Sequence, residues 1–225
     1  MNMIQEFFPF LLKGTWVTVK LSLSSLAVGL LLGMLGALAK ISTHTMARFL
    51  SIGITSVIRG VPELLILFLI YFGGTIVLTQ SFGHYVEVSA FTAGVVALAL
   101  IFAAYASETL RGAYLAIPAG QLEAAKAYGF SGFAAFRYII LPQLWRHALP
   151  GLGNLWFVLL KDSALVSLIG LTDLMRVVQN ATAYTKKPFN FYLIAALIYL
   201  FLTSLSMIGQ KMLNQRVNHF IHKEG

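Results

Sequence analysis

The stretch Pro118-Ala-Gly-Gln-Leu-Glu-Ala-Ala-Lys-Ala-Tyr-Gly-Phe130 governs how the rest of the chain is read. It is too polar to cross a hydrocarbon core, yet it is not composed like a linker. Its alanines favour helix strongly, Pro118 suits a first helical turn, and Gly129 permits a left-handed exit. Ala124, Ala125 and Ala127 are small enough to let another backbone approach closely. A second short helix is expected from about Gly132 to Ile140, ending before Pro142. The whole polar segment, about 111–148, lies between long apolar runs.

A membrane-spanning helix needs about 20 predominantly apolar residues. Five runs qualify: roughly Trp16 to Ala39, Ile54 to Leu78, Val88 to Leu110, Leu149 to Thr172 and Phe189 to Met212. The composition agrees, with 58% hydrophobic and 11% charged residues, where soluble domains carry about 25% charged ones. The expected fold is all-α: one polytopic membrane domain over residues 1–225, surrounded by lipid. Ahead of the first run, Ile4, Phe7, Phe8, Leu11 and Leu12 would give a short interfacial helix an apolar face, with Pro9 interrupting it.

The net charge of +8 does not indicate nucleic acid, because the basic residues sit between apolar runs and no nucleic-acid motif is present. They orient the chain instead. With the N-terminus outside, Lys40, Arg48, Arg111, Lys126, Arg137, Arg146, Lys211, Arg216 and Lys223 fall inside, against Lys13, Arg176, Lys186 and Lys187 outside. The positive-inside rule therefore favours N-out and C-in, and the polar segment becomes cytoplasmic.

Several chemistries are excluded. There is no cysteine, hence no disulfide or thiolate metal site. His44, His84, His147, His219 and His222 show no metal-ligand spacing, and no nucleophile–base pair stands out. No phosphate-binding Gly-rich loop ending in Gly-Lys-Ser/Thr occurs, so ATP and Mg, if used, belong to another chain.

Charges inside apolar runs are functional candidates by default. Lys161-Asp162 interrupts the fourth run, with Asn154 two turns earlier. Sequence neighbours on a helix face different ways, so the two charges have separate partners. Asp162 either lines a polar cavity or joins an ion pair between helices. Arg59 and Glu63 are one turn apart and could pair on one face, as could Glu108 and Arg111; Arg59 otherwise snorkels at the membrane surface beside a kink at Pro62, the favoured reading, or gates the cytoplasmic mouth. Tyr71 and Tyr105 are polar-tipped aromatics within runs.

The polar segment also carries a spaced motif: Glu123-Ala124-Ala125, three residues, Gly129, nine residues, Ile139, one residue, Leu141-Pro142. This resembles the EAA loop of ABC importer permeases. Further runs are similar to the polar amino-acid branch of that family: Arg59-Gly-Val-Pro62, Ala104-Tyr-Ala-Ser-Glu-Thr-Leu-Arg-Gly112, Ile117-Pro-Ala-Gly-Gln121 and Leu160-Lys-Asp-Ser-Ala-Leu-Val-Ser167. Trp145-Arg-His-Ala-Leu-Pro-Gly-Leu-Gly-Asn154 and Ile70-Tyr-Phe-Gly73 resemble the arginine-transport permeases of Gram-negative bacteria, with histidine/lysine/ornithine permeases next.

The resemblance implies a type I importer permease fold in a bacterial inner membrane. It implies no enzyme activity and no cofactor on this chain. It implies a second permease subunit, identical or related, two ATP-binding cassette subunits, and a periplasmic amino-acid-binding protein. Glu123, Ala124, Ala125, Gly129 and Phe130 would form the cytoplasmic coupling helix that docks on the ATPase. Asp162 and Ser163, with Asn154 and Tyr71, would line the substrate path. Some basic-amino-acid permeases place an acid directly after the Gly-Asn pair, where this chain has Leu155. The implied cargo is a basic amino acid, arginine first, with histidine, lysine, ornithine or glutamine as alternatives. An ion-coupled carrier is the competing class, but it has no use for an intact EAA loop.

Overall fold

The computed structural model describes the backbone of residues 3–219 and the side chains of residues 6–217. The side chains of Ile4 and His219, and all of His222 and Lys223, lie outside those residues. The chain is all-helical over the described residues, and five of its helical stretches are long and apolar enough to span a membrane: Glu6–Ile41, Glu63–Phe82, Ala90–Leu115, Gly132–Ile169 and Pro188–Val217.

Helix α1 runs unbroken over Met3–Ile41, so the short interfacial helix expected at the N-terminus is its first turns instead. Pro9 removes one ladder bond without ending the helix, because tertiary packing holds the turn. Leu11 is buried, and Phe7 meets Phe191 edge to face at 5.5 Å. Thr18, Ser22 and Ser25 are buried polar residues on α1, and each hydroxyl donates to the carbonyl four residues back.

Helix α2 (Thr45–Gly60) is separate from the second span, which was expected to begin near Ile54. The break is chemical. Pro62 forces Val61 into extended backbone at φ −99, ψ 136, and the span restarts as α3 (Glu63–Phe68). A π-type turn over Leu69–Gly73 joins α3 to α4 (Gly74–Phe82).

Helix α5 (Ala90–Leu115) is the centre of the bundle. It meets α1 along a seam of small residues. A Cβ on Gly29 would lie 2.9 Å from the Ala99 carbonyl, on Gly33 2.9 Å from the Ala106 Cβ, and on Gly36 3.1 Å from the Ser107 Cβ. Such close approach is how helices associate where lipid removes the hydrophobic drive.

Helix α6 (Ala119–Ala127) and α7 (Gly132–Ala135) follow. The chain then passes a π-type turn, Phe136–Ile140, directly into α8 (Leu141–Asp162) and a 3₁₀ turn, Ser163–Ile169. A stop before Pro142 was expected. The helix continues because the widened turn absorbs the carbonyl and the ring clash that Pro142 creates. Helix α9 (Leu174–Thr185) then packs on α1, and α10 (Pro188–His219) on α8 and α9. Alternating spans place α2 and α6 at one end of the bundle and the 83–89 and 170–187 connections at the other.

Candidate functional site

The α6 end presents an exposed, sharply terminated helix. Pro118 sits at the N-cap of α6, one position before the first turn. At the C-terminus Gly129 takes φ +76. Its N–H donates to the Lys126 carbonyl, and the Phe130 N–H to the Ala125 carbonyl, each at 3.0 Å. These bonds close the helix in the manner of a left-handed cap. Glu123, Ala124, Lys126, Ala127 and Phe130 are exposed. Ala125 is not: it is 2% exposed and faces α7 and the turn that follows. The expectation that all three alanines offer a surface to another backbone is corrected for Ala125, whose smallness serves packing within the chain. Beside α6, Gln121, Gln143, Arg146, His147 and Val217 line an open groove of ≈ 990 Å³.

Behind α6, a cluster of ions ties three helices. The Lys40 side chain is 0% exposed and its ammonium donates to Ser107 Oγ at 2.7 Å and to Glu108 Oε1 at 2.9 Å. Arg111 Nε donates to Glu108 Oε2 at 2.9 Å. Arg59 lies 3.6 Å from Glu108 Oε1. The possible pairing of Arg59 with Glu63 does not form, because the Val61–Pro62 break takes Glu63 off the face of α2. Lys40, which the charge count places on the inner side, is an internal partner of α5.

Glu63 goes elsewhere. It lines a narrow cleft with Phe102, Tyr105, Val158 and Asp162. Both carboxylates thus line the same cleft. Among the described residues, every ion pair falls on Glu108, so neither has a salt-bridged cation. Lys161 is exposed on another side of α8, as neighbours on a helix must be. The cleft holds only ≈ 20 Å³, room for about one water molecule. It is shut to any amino acid in this conformation.

The other expected path residues do not converge on it. Ser163 is buried and its hydroxyl turns back to the Leu160 carbonyl at 2.7 Å. Tyr71 donates to Glu87 Oε1 at 2.5 Å, toward the 83–89 end. Asn154 is exposed on α8, two turns from Asp162 on the same face. Sequence reading missed Glu63 as the companion of Asp162. The signal was Pro62, which marks where the helical register restarts.

A family model for the binding-protein-dependent transport system inner membrane component matches residues 29–219. The chain belongs to that family. Binding-protein-dependent permeases are transport components rather than enzymes. Among relatives of this permease, the arginine ABC transporter permease protein ArtQ of Haemophilus influenzae is 44% identical over 221 residues, 97% of this chain and 98% of the relative. The histidine/lysine/arginine/ornithine transport system permease protein HisQ of Salmonella typhimurium is 42% identical over 91% of each chain. The crystal structure of an amino acid ABC transporter with histidines superposes at TM-score 0.83 with 36% identity, over 95% of this chain and 96% of that one. A MetNI methionine ABC transporter structure shares the fold at TM-score 0.73 and 20% identity, over 93% of this chain and 97% of that one.

Proposed function

We propose that this permease imports a basic amino acid, arginine first, through the bacterial inner membrane, acting as one domain over residues 1–225. The observation that carries the cargo reading is the pair Glu63 and Asp162, two carboxylates facing one cleft without a described cation. A guanidinium or ammonium entering an opened cleft would relieve their repulsion, and a neutral side chain would not. Here the acid missing at Leu155 has its substitute in this chain. Histidine, lysine and ornithine share the needed charge; glutamine does not. Asn154 lies on the same face of α8 and serves the path leading to the cleft, whereas Ser163 and Tyr71 support the helices around it.

The energy comes from separate ATP-binding cassette subunits, which hold the ATP and Mg. The exposed face of α6, with Glu123, Ala124, Gly129 and Phe130, docks on the ATPase, and Ala125 holds that face to α7. The basic residues favour this end as cytoplasmic, with the N-terminus periplasmic. A second permease subunit completes the path, and a periplasmic binding protein delivers cargo to the 83–89 and 170–187 end. ATPase closure turns the cleft outward and hydrolysis returns it inward.

The test is uptake by cells carrying the full transporter with Glu63→Gln and Asp162→Asn, singly and together. Arginine uptake is expected to fall at least about tenfold in the double variant, with the complex still assembled. Unchanged arginine uptake by an assembled double variant overturns the cargo reading.

A further inference from the structure

The open groove beside α6 lies where two spanning stretches leave the hydrocarbon. Gln210 of α10 donates to the Pro150 carbonyl of α8 at 3.3 Å, and its amide rests on Gly153, where no Cβ intervenes. That contact sets the two helices level with one another. On the side away from α6, residues 188–209 of α10 and 148–160 of α8 carry no charge. At about 1.5 Å per residue that run of α10 rises about 33 Å, close to the hydrocarbon thickness of about 30 Å. On the α6 side, basic residues resume on both helices at once, Arg146 and His147 on α8 and Lys211 and Arg216 on α10. The groove therefore sits in the headgroup layer of whichever leaflet meets the α6 end.

Its lining is graded. Pro142, Leu149 and Val217 give it an apolar wall. Tyr138 and Trp145 add amphipathic aromatics of the kind that collect at a membrane–water boundary. Arg146 is exposed and, among the described residues, makes no ion pair. The Arg137 guanidinium lies 5.8 Å over the Tyr138 ring, which brings a second cation to the rim. Among the described residues no carboxylate lines the groove. Glu123, the acid of α6, lines a separate hollow with Ile117 and Lys126.

Cations above an apolar wall, at the depth where acyl chains begin, match one class of molecule. An acidic protein surface could satisfy Arg146, but it would leave the wall beside Leu149 to lipid. We propose that the groove binds an anionic phospholipid, its phosphate held by Arg146 and Arg137 and an acyl chain lying along Leu149 toward the Pro150–Gln210 contact. The ≈ 990 Å³ of the groove is at the upper end of the range for ligand sites, about 300–1,000 Å³. The lipid bridges Gln121 of α6 and the base of α8, two elements that the chain otherwise joins only through α7 and the π-type turn.

The experiment is native mass spectrometry of the assembled transporter, titrated with palmitoyl-oleoyl phosphatidylglycerol or with phosphatidylcholine of the same chains. Phosphatidylglycerol is expected to bind in preference. At about 1 kcal/mol per basic residue, Arg146→Gln should weaken one phosphatidylglycerol site per permease about 5-fold, and Arg146→Gln with Arg137→Gln about 25-fold. Arg48→Gln removes an equal charge from an exposed position on α2 and should change nothing. Equal binding of the two lipids, or equal losses in Arg146→Gln and Arg48→Gln, overturns the proposal. Displacement of phosphatidylglycerol by excess inorganic phosphate also overturns it, since the site would then hold an anion without a chain. So does an Arg146→Gln transporter that keeps the lipid and sheds its ATPase subunit, because the groove would then hold protein. Lipid binding is read without uptake, so failure here leaves the import reading untouched.

Discussion

Replacing Gly129 isolates the role of the α6 terminus. A Cβ added there meets nothing within 4 Å, so no packing is disturbed, and the whole effect comes from the backbone at φ +76. Holding an alanine in that conformation costs about 1–2 kcal/mol, which lowers the population of the capped turn by about 5–30-fold. Asparagine visits the conformation more readily, so Gly129→Asn should cost less. Two bonds depend on the turn, Gly129 N–H to Lys126 and Phe130 N–H to Ala125, and they set where the exposed Phe130 points. The assay is arginine uptake together with ATP hydrolysis by the reconstituted transporter, normalised to permease in the membrane. Uptake per permease should rank wild type, then asparagine, then alanine, with alanine down by about 5–30-fold and membrane levels equal. Wild-type uptake by the alanine variant, or asparagine below alanine, refutes the reasoning that this turn positions the docking surface.

Two further outcomes follow from the packing. Gly33→Val should destabilise the bundle by about 1–3 kcal/mol, because its Cβ falls 2.9 Å from Ala106, whereas Gly53→Ala, with open space around it, should be near neutral; thermal unfolding in detergent distinguishes them. The chain has no cysteine, so single cysteines give a clean background for cross-linking. Carrying a thiol-reactive photo-cross-linker, Ala124→Cys should trap the ATPase subunit and buried Ala125→Cys should not, as read on a gel after illumination.

The spans were legible because hydrocarbon solvation demands a length and a composition, and little else satisfies both. The α6 helix was legible because its start and stop are local chemistry, written in Pro118 and Gly129. What failed in each case was direction. The facing of Ala125 depends on α7, which folds back from the unspecified nine-residue gap of the motif. Counting one turn from Arg59 reaches Glu63 only along an unbroken helix, and Pro62 ends that helix. Charge counting puts Lys40 on the inner side but says nothing of its partners, because Ser107 and Glu108 reach it only through α5.

The glycine seam between α1 and α5 bears on how any transport cycle is apportioned. Backbones that touch with almost no side chain between them have no rotamers to exchange, so sliding would separate atoms that nothing else can reach. The two helices therefore travel as one piece. Rearrangement that opens the shut cleft is left to the places where the helical ladder is already interrupted, the extended Val61–Pro62 link and the left-handed Gly170.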